Sequence, residues 1–343
     1  MSLNMFLGVI AVIIFLSILI LVHELGHFLL AKKFGLLVEE FGFGLPPRLW
    51  GKKIGETVYS INALPFGGFV KIYGEDTDAI SGGMRDFRNL FVWKRAIIIA
   101  AGVLMNFLLG WLVISVVFSI GLPQAVLITD VQPNSPAGEI GLQAGDKIVD
   151  FIKVEEFVRY IDENRGKEIT LKIERSGEKI NFQTVPRVNP PVGEGALGIG
   201  LVEAGLPKQN IARSFAEGFK ASVEIIKAIF IALFNLISRA VVGKATLEQV
   251  AGPVGIVKIT AQAGSLGFIY LLQLLALISL NLAVINIFPF PALDGGRLLF
   301  LLIEKIKGSP LPVKFEKYAN AAGMALLLFL MALITIKDIS RFL

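Results

Sequence analysis

Four long stretches of this chain carry almost no charge, and they restrict the folds open to it. They cover residues 5–31, 96–122, 268–293 and 319–336. Each is close to the roughly 20 residues that a helix needs to cross about 30 Å of hydrocarbon. The chain is 54% hydrophobic with a mean hydropathy of +0.70, above the roughly 45–50% apolar content of soluble domains. We therefore predict a polytopic α-helical membrane protein with about four transmembrane helices.

The basic residues predict the orientation of these helices. Lys32 and Lys33 follow the first stretch, and four basic residues lie between Arg85 and Arg95, just before the second. Because cytoplasmic loops are enriched in Lys and Arg, the loop 32–95 is expected to be cytoplasmic and the N-terminus extracytoplasmic. The net charge of +5 is explained by this clustering, so no nucleic-acid partner is expected. The predicted localisation is the inner or plasma membrane, with the lipid bilayer as a partner.

Both histidines of the chain lie in one short motif, His23-Glu24-Leu25-Gly26-His27, at the end of the first apolar stretch. Positions i and i+4 of a helix share a face, so two imidazoles can bind one ion. Glu24 can then act on a water molecule at that ion without being a ligand. The alternative is that the H-E-x-x-H match is part of an ordinary helix surface, as many such matches are. Charged and polar groups at membrane depth are costly, which favours a functional Zn²⁺ site here.

A catalytic zinc takes three protein ligands, and the chain has no third histidine and no cysteine. Asp294 closes a long uncharged stretch and is the candidate third ligand. The alternative is a turn or helix N-cap residue before Gly295-Gly296. If Asp294 meets the histidines, both segments must run towards the cytoplasm. An even number of crossings must then separate residues 121 and 268, so we expect the ambiguous segment 211–242 to lie in the interface or re-enter. Lys244, one of its flanking charges, lies outside the residues that the structure describes.

With these motifs, the chain resembles the site-2 protease family of intramembrane zinc metalloproteases, in its bacterial single-PDZ branch. Two motifs carry the resemblance. They are His23 to His27, and Asn286 to Gly296 with the pattern N-x-x-P-x-P-x-L-D-G-G. It implies that His23, His27 and Asp294 bind zinc and that Glu24 is the catalytic base. It also suggests that Asn286 and Asn281 contact the substrate backbone; hydrogen bonding between helices is the alternative. Gly102-x-x-x-Asn106 resembles a further family feature near the active site.

Residues 64–72 are expected to form a strand after a glycine kink. In the family a cytoplasmic membrane-associated β-loop occupies this place, which suggests that Gly68, Phe69 and Val70 bind substrate. A transmembrane substrate must unwind to be cleaved, and a strand edge can accept its freed backbone groups. An ordinary cytoplasmic hairpin is the alternative.

The polar segment between the second and third stretches predicts a separate domain. Short β-like runs alternate with turns there, and Gly141 to Asp146 resembles a turn of bacterial PDZ domains. We predict four regions: 1–123 with the H-E-x-x-H helix, the β-loop and the second span; 124–203 as an extracytoplasmic PDZ-like domain; 204–265 as an interfacial amphipathic helix and connection; and 266–343 with the L-D-G-G motif and the last span. The PDZ-like domain is expected to contact substrate ends or the product of an earlier cleavage. The alternative is that it only excludes bulky substrates by their size.

The predicted function is an intramembrane zinc metalloendopeptidase that cleaves transmembrane segments of single-span membrane proteins, such as an anti-sigma factor or a remnant signal peptide. The active site is expected near the cytoplasmic side. The alternative is a non-proteolytic PDZ-bearing membrane adaptor, against which the complete pair of motifs argues. A zinc transporter is a third alternative. The membrane stretches hold few carboxylates and histidines that could pass an ion across the bilayer, which argues against it.

Overall fold

The structure, a computed structural model, describes residues 3–75, 85–175, 177–191, 193–243 and 251–342. The chain forms two compact units, Met1–Val116 with Phe215–Leu343, and Val117–Ser214. The predicted polar domain, 124–203, lies inside the second unit. The predicted connecting region, 204–265, is divided between the two units.

Long helices make up most of the first unit. Its described helices are α1 (Leu3–Lys33), α2 (Val92–Ile120, which crosses into the second unit), α5 (Ile211–Val241, which begins in the second unit), α6 (Pro253–Leu266), α7 (Phe268–Ile287), α8 (Asp294–Lys307) and α9 (Val313–Phe342). By length and composition, five described helices can cross a membrane: α1, α2, α5, α7 and α9. Sequence analysis predicted about four spans and left the segment of α5 ambiguous; α5 is the fifth described helix that meets this criterion. Four of its charged residues form ion pairs within the helix, Glu217 with Lys220 at 3.2 Å and Glu224 with Lys227 at 2.7 Å.

Helices α1 and α2 approach each other closely at Gly26. A Cβ at this position would lie 2.4 Å from the carbonyl oxygen of Ala101, so glycine allows the contact. Residues with lower numbers on α1 face residues with higher numbers on α2, because His27 contacts Ile98 and His23 contacts Asn106. The two helices therefore run antiparallel past the histidines.

Two long strands, β1 (Val38–Ile54) and β2 (Thr57–Ile72), form an antiparallel sheet beside α1. Phe41 of β1 is opposite both Tyr59 and Val70 of β2, so the first part of β1 is an inner strand of the sheet. Residues 68–72 pair with β1 on one side, and the described residues place no strand on their other side. The predicted strand 64–72 is thus part of β2, and its last residues form an edge.

Helix α8 follows directly on a turn after α7. The Arg95 guanidinium of α2 makes a buried ion pair with Glu304 of α8 at 2.8 Å, and Glu304 also accepts the Leu311 N–H at 3.0 Å. These contacts connect α2, α8 and the start of α9.

The segment 211–252 has specific partners at both of its ends. At the start of α5, the Phe215 carbonyl accepts the Trp111 Nε1–H at 2.9 Å. At the start of α6, the buried Asp338 carboxylate accepts the N–H groups of Gly252 and Gly255, both at 2.9 Å. Farther along α6, a Cβ at Gly8 of α1 would lie 2.9 Å from the Ala261 side chain. Helix α6 therefore packs on the half of α1 that precedes the histidines.

The second unit is an antiparallel five-stranded sheet of order β6-β5-β4-β3-β7 with two short helices. Its elements are β3 (Leu122–Val131), α3 (Pro136–Glu139), β4 (Lys147–Ile148), α4 (Val154–Glu163), β5 (Ile169–Arg175), β6 (Glu178–Thr184) and β7 (Ile199–Leu206). Its core contains Ile128, Phe157, Ile173 and Leu197. The predicted turn Gly141–Asp146 is fixed by Asp146, which accepts the Gln143 N–H at 2.9 Å and pairs with Arg175 at 2.6 Å.

Candidate metal centre

His23 and His27 lie one helical turn apart on α1, and both are buried. Their Nε2 atoms are 3.2 Å apart, and the rings meet edge to face. Two nitrogens that face each other this closely can share one cation. The predicted stacking of the two imidazoles on one helix face is therefore present.

Helix α2 fixes the opposite side of each imidazole. The His27 Nδ1–H donates to the Ile98 carbonyl at 2.9 Å, and the Asn106 side-chain amide lies 3.4 Å from His23 Nδ1. A partner at Nδ1 sets the ring orientation and leaves Nε2 directed at the shared position. Asn106, which was singled out in the sequence, is fully buried here.

Gly102 of α2 makes room for both rings. A Cβ at this position would lie 2.4 Å from His27 Nε2 and 2.6 Å from His23 Cε1. No side chain larger than hydrogen fits there without moving the imidazoles. The motif Gly102-x-x-x-Asn106 therefore contributes to this site: Gly102 leaves space for the imidazoles and Asn106 lies against His23.

Asp294, the first residue of α8, completes the cluster. Its Oδ2 lies 3.1 Å from His23 Nε2 and 3.5 Å from His27 Nε2. The glycines that follow allow this approach, because a Cβ at Gly295 would lie 2.1 Å from the Phe288 carbonyl and one at Gly296 2.2 Å from the Phe290 carbonyl. One ligand atom from each of the three residues lies within 4.8 Å of the others.

This donor set fits Zn²⁺. Two imidazole nitrogens and one carboxylate oxygen are a typical three-ligand set for a catalytic zinc. Asp294 Oδ2 is buried and accepts no hydrogen bond from the residues that the structure describes. A buried anionic oxygen without such a partner is costly, and a cation between it and the two Nε2 atoms would compensate it.

A polar cavity of about 110 Å³ opens at this cluster. Glu24 lines it beside the three candidate ligands, as do Val70 of β2, Glu75 and Arg297. Glu75 and Arg297 form an ion pair with each other. The site can thus hold a water molecule and a small polar group next to Glu24.

The structure distributes the predicted substrate-binding residues unevenly. Val70 lines the cavity, and a Cβ at Gly68 would lie 3.4 Å from Glu24 Cγ, so this part of the β2 edge passes the site. Phe69 lies between them on β2. Asn281 donates to the Leu277 carbonyl of its own helix at 3.0 Å, and neither Asn281 nor Asn286, both described, lines the cavity.

Sequence reasoning missed three contributors to this site. The Ile98 carbonyl is a main-chain group, so no residue type signals it. Glu75 and Arg297 are separated by 222 positions. Arg297 was assigned no role at this site from the sequence, although its place three residues after Asp294 puts it on the same face of α8 and could have indicated one.

Comparison with known proteins shows the family of the chain. The model of peptidase family M50 matches residues 11–330, a range that contains the candidate ligands and Glu24. The chain belongs to peptidase family M50. The predicted membership of the site-2 protease family is confirmed, and with it the prediction that the chain is a protease.

Several relatives match over almost their whole length. The chain is 37% identical over 333 residues to a Clostridium perfringens protein named as a candidate zinc metalloprotease, covering 94% of this chain and 96% of the relative. It is 30% identical over 423 residues to the regulator of sigma-W protease RasP of Bacillus subtilis, with 97% and 98% covered. It is also 30% identical over 443 residues to the regulator of sigma-E protease RseP of Escherichia coli, with 96% and 97% covered.

Proposed function

We propose that this M50 peptidase is a zinc-dependent intramembrane metalloendopeptidase that hydrolyses a peptide bond in the transmembrane segment of a single-span membrane protein. One observation carries the proposal: Asp294 of α8 converges with His23 and His27 beside Glu24, and the helix α1 that carries these last three residues is long and apolar enough to span a bilayer. Relatives named as candidate zinc metalloproteases, among them the Clostridium perfringens protein, support Zn²⁺ as the cofactor. An anti-sigma factor or a remnant signal peptide is a suitable substrate class.

The Nε2 atoms of His23 and His27 and the Asp294 carboxylate would hold the metal. When bound, Zn²⁺ supplies Lewis-acid chemistry that polarises a carbonyl and acidifies water. The protein's part is orientation: the Ile98 carbonyl and Asn106 hold the two rings, and Gly102 leaves them space.

Glu24 is the proposed general base and acid. Its carboxylate lines the cavity next to the ligand cluster and belongs to the same helix turn as His23 and His27. It would accept a proton from the attacking water and return it to the nitrogen of the departing amine. Such proton transfer is typically worth about 10²–10⁴-fold in rate.

The edge of β2 is the proposed place for the substrate backbone. A helical substrate has its backbone hydrogen bonds satisfied, so cleavage requires local unwinding. Residues 68–72 present an edge beside Glu24, where an extended substrate segment could add as a strand. Gly68, Phe69 and Val70 would then contact the substrate, with Asn281 and Asn286 as further proposed contacts.

We propose the topology predicted from the charges, with the N-terminus outside and the site near the cytoplasmic face. Contacts at both ends of the segment 211–252 support it. Phe215 contacts α2 beyond Asn106, and α6 packs on the half of α1 that includes Gly8. Phe215 and Ala261 therefore lie on the same side of the metal centre, as an even number of crossings between them requires.

The second unit is proposed to be an extracytoplasmic PDZ-like domain. A groove of about 180 Å³ lies between α4 and the start of β7 and is lined by Phe157, Ile161, Leu197 and Ile199. A groove between a helix and a strand is suited to an extended peptide. It could receive the end of a substrate shortened by an earlier cleavage.

The proposal is tested with Glu24→Gln, which removes the base and keeps the shape. Wild type and variant are purified, their zinc is measured by mass spectrometry, and both are incubated in liposomes with a tagged single-span substrate. We expect about one zinc per chain in both, and at least 100-fold slower cleavage by the variant. Equal cleavage by both proteins would refute the role of Glu24. No cleavage by either, with zinc bound, would favour the adaptor.

A further inference from the structure

The turn between α7 and α8 contains a residue in an unusual backbone conformation. Ala292 has a φ of 78°, in the left-handed region that side chains with a Cβ rarely adopt. Glycine adopts this region readily, but position 292 holds alanine. The surrounding structure must therefore hold Ala292 in place.

A side chain of α9 supplies that restraint. The Asn320 Oδ1 atom accepts the Ala292 N–H at 3.0 Å. One turn farther along α9, a Cβ at Gly323 would lie 2.4 Å from the Pro291 carbonyl oxygen, so glycine lets the turn rest against the helix. Asn320 and Gly323 share one face of α9, and the turn is seated on that face.

The turn leads directly into the metal centre. The Leu293 N–H donates to the Phe290 carbonyl at 3.1 Å, and the Leu293 carbonyl accepts the Gly296 N–H at 3.0 Å. Asp294 thus lies between a turn fixed by α9 and the first hydrogen bond of α8. The direction of its carboxylate depends on the backbone at Ala292.

We propose that Asn320 is a positioning residue for the metal centre: by holding Ala292 in the left-handed conformation, it directs the Asp294 carboxylate at the two imidazoles. This inference rests on the proposed ligand set of His23, His27 and Asp294. Asn320 acts through the backbone of the turn and touches neither metal nor substrate. A purely structural role would stabilise the fold and leave the metal centre unchanged.

The test replaces Asn320 with leucine in the full-length protein, which keeps the size and removes the acceptor. Zinc affinity is measured by chelator competition, ligand geometry by the visible spectrum of the Co²⁺-loaded protein, and stability by thermal unfolding. We expect zinc affinity to fall about 10–100-fold, as when partners of metal ligands are lost, with a changed Co²⁺ spectrum. Asn235→Leu on the exposed part of α5 is the matched control and should change zinc affinity less than threefold.

Ala292→Gly supplies the decisive rescue. Glycine needs no restraint to adopt a positive φ, so the Asn320→Leu/Ala292→Gly double variant should recover zinc affinity to within about threefold of Ala292→Gly alone. An unchanged zinc affinity in Asn320→Leu, even with a lower unfolding temperature, would overturn the proposal. So would a double variant that stays as weak as Asn320→Leu.

Two further variants keep the result interpretable. If Asn320→Leu does not fold, Asn320→Ala takes its place with the same expected loss and the same rescue. Asp294→Ala is measured in parallel. If Asp294→Ala retains stoichiometric zinc, the proposed ligand set is wrong. If Asp294→Ala loses zinc while neither Asn320 variant weakens it, the ligand set stands and the positioning role is wrong.

Discussion

Replacing Gly102 by alanine should damage the metal centre directly. The added Cβ would lie 2.4 Å from His27 Nε2 and 2.6 Å from His23 Cε1. Ordinary carbon contacts begin near 3.4 Å, so the overlaps are about 1.0 and 0.8 Å. Metal–ligand distances tolerate only about 0.2 Å. Both imidazoles must therefore move several times farther than zinc coordination allows.

We expect Gly102→Ala to lower zinc affinity about 100-fold, the upper end of the range for changes behind a metal ligand. That loss equals about 2.7 kcal/mol, within the roughly 1–3 kcal/mol typical of overpacking. The assay is chelator competition on purified protein, with the Co²⁺ spectrum as a readout of geometry. Helix propensity works the other way, since alanine favours a helix over glycine by about 1 kcal/mol.

Gly110→Ala is the matched control on the same helix. Its Cβ would lie 2.7 Å from both Cγ and Cδ2 of Leu280 on α7, a comparable overlap that involves no metal ligand. Zinc affinity should stay within threefold of wild type. If Gly102→Ala also stays within threefold and its Co²⁺ spectrum is unchanged, the packing argument for the site is wrong.

Three further predictions concern the edge strand, the metal and the second unit. Gly68→Val should lower kcat/KM about 10-fold or more while zinc stays bound, because a Cβ there already lies 3.2 Å from the Gly42 carbonyl and 3.4 Å from Glu24 Cγ; unchanged kinetics in the liposome assay would contradict this. Removing zinc should lower the unfolding temperature, since ligand at 100 times its Kd stabilises by about 2.7 kcal/mol; calorimetry with and without chelator checks it. Burial alone would raise the pKa of the Asp146 carboxyl, but the Arg175 guanidinium and a backbone N–H hold that pKa below its usual value. A lowered folded-state pKa gives stability that is present above about pH 4 and lost as the pH falls through the folded value. Hydrogen exchange in β5, corrected for intrinsic rates, should therefore accelerate in acid, and Arg175→Gln should weaken this dependence.

The metal centre was largely predictable because its signals are local. His23 and His27 have a helical spacing, and Asp294 ends a stretch without charge, so each can be recognised from the sequence alone. Their partners are not. The Ile98 carbonyl belongs to the main chain, and the left-handed conformation of Ala292 depends on Asn320, 28 residues away. No residue type in the sequence indicates either feature.

The fold was predictable to the level of its elements, and less so in their pairing. The strand at residues 64–72 was expected, but the double pairing of Phe41 with Tyr59 and Val70 was not. Such pairing follows from bends in both strands, and the sequence pattern does not specify their register. The long α5 was also ambiguous, because pairs such as Glu224 and Lys227 satisfy charges within the helix and are compatible with either a span or an interfacial helix.

The position of the cleaved bond tests the central claim most directly. A single-span substrate is cleaved in liposomes by the wild-type protein in ¹⁸O-labelled water, and the products are identified by mass spectrometry, with Glu24→Gln in parallel. We predict one cut inside the transmembrane segment, with ¹⁸O in the new carboxylate, from the wild type alone. A cut confined to the exposed flanks of the substrate, or the same products from Glu24→Gln, would contradict an intramembrane zinc peptidase that uses Glu24 as its base.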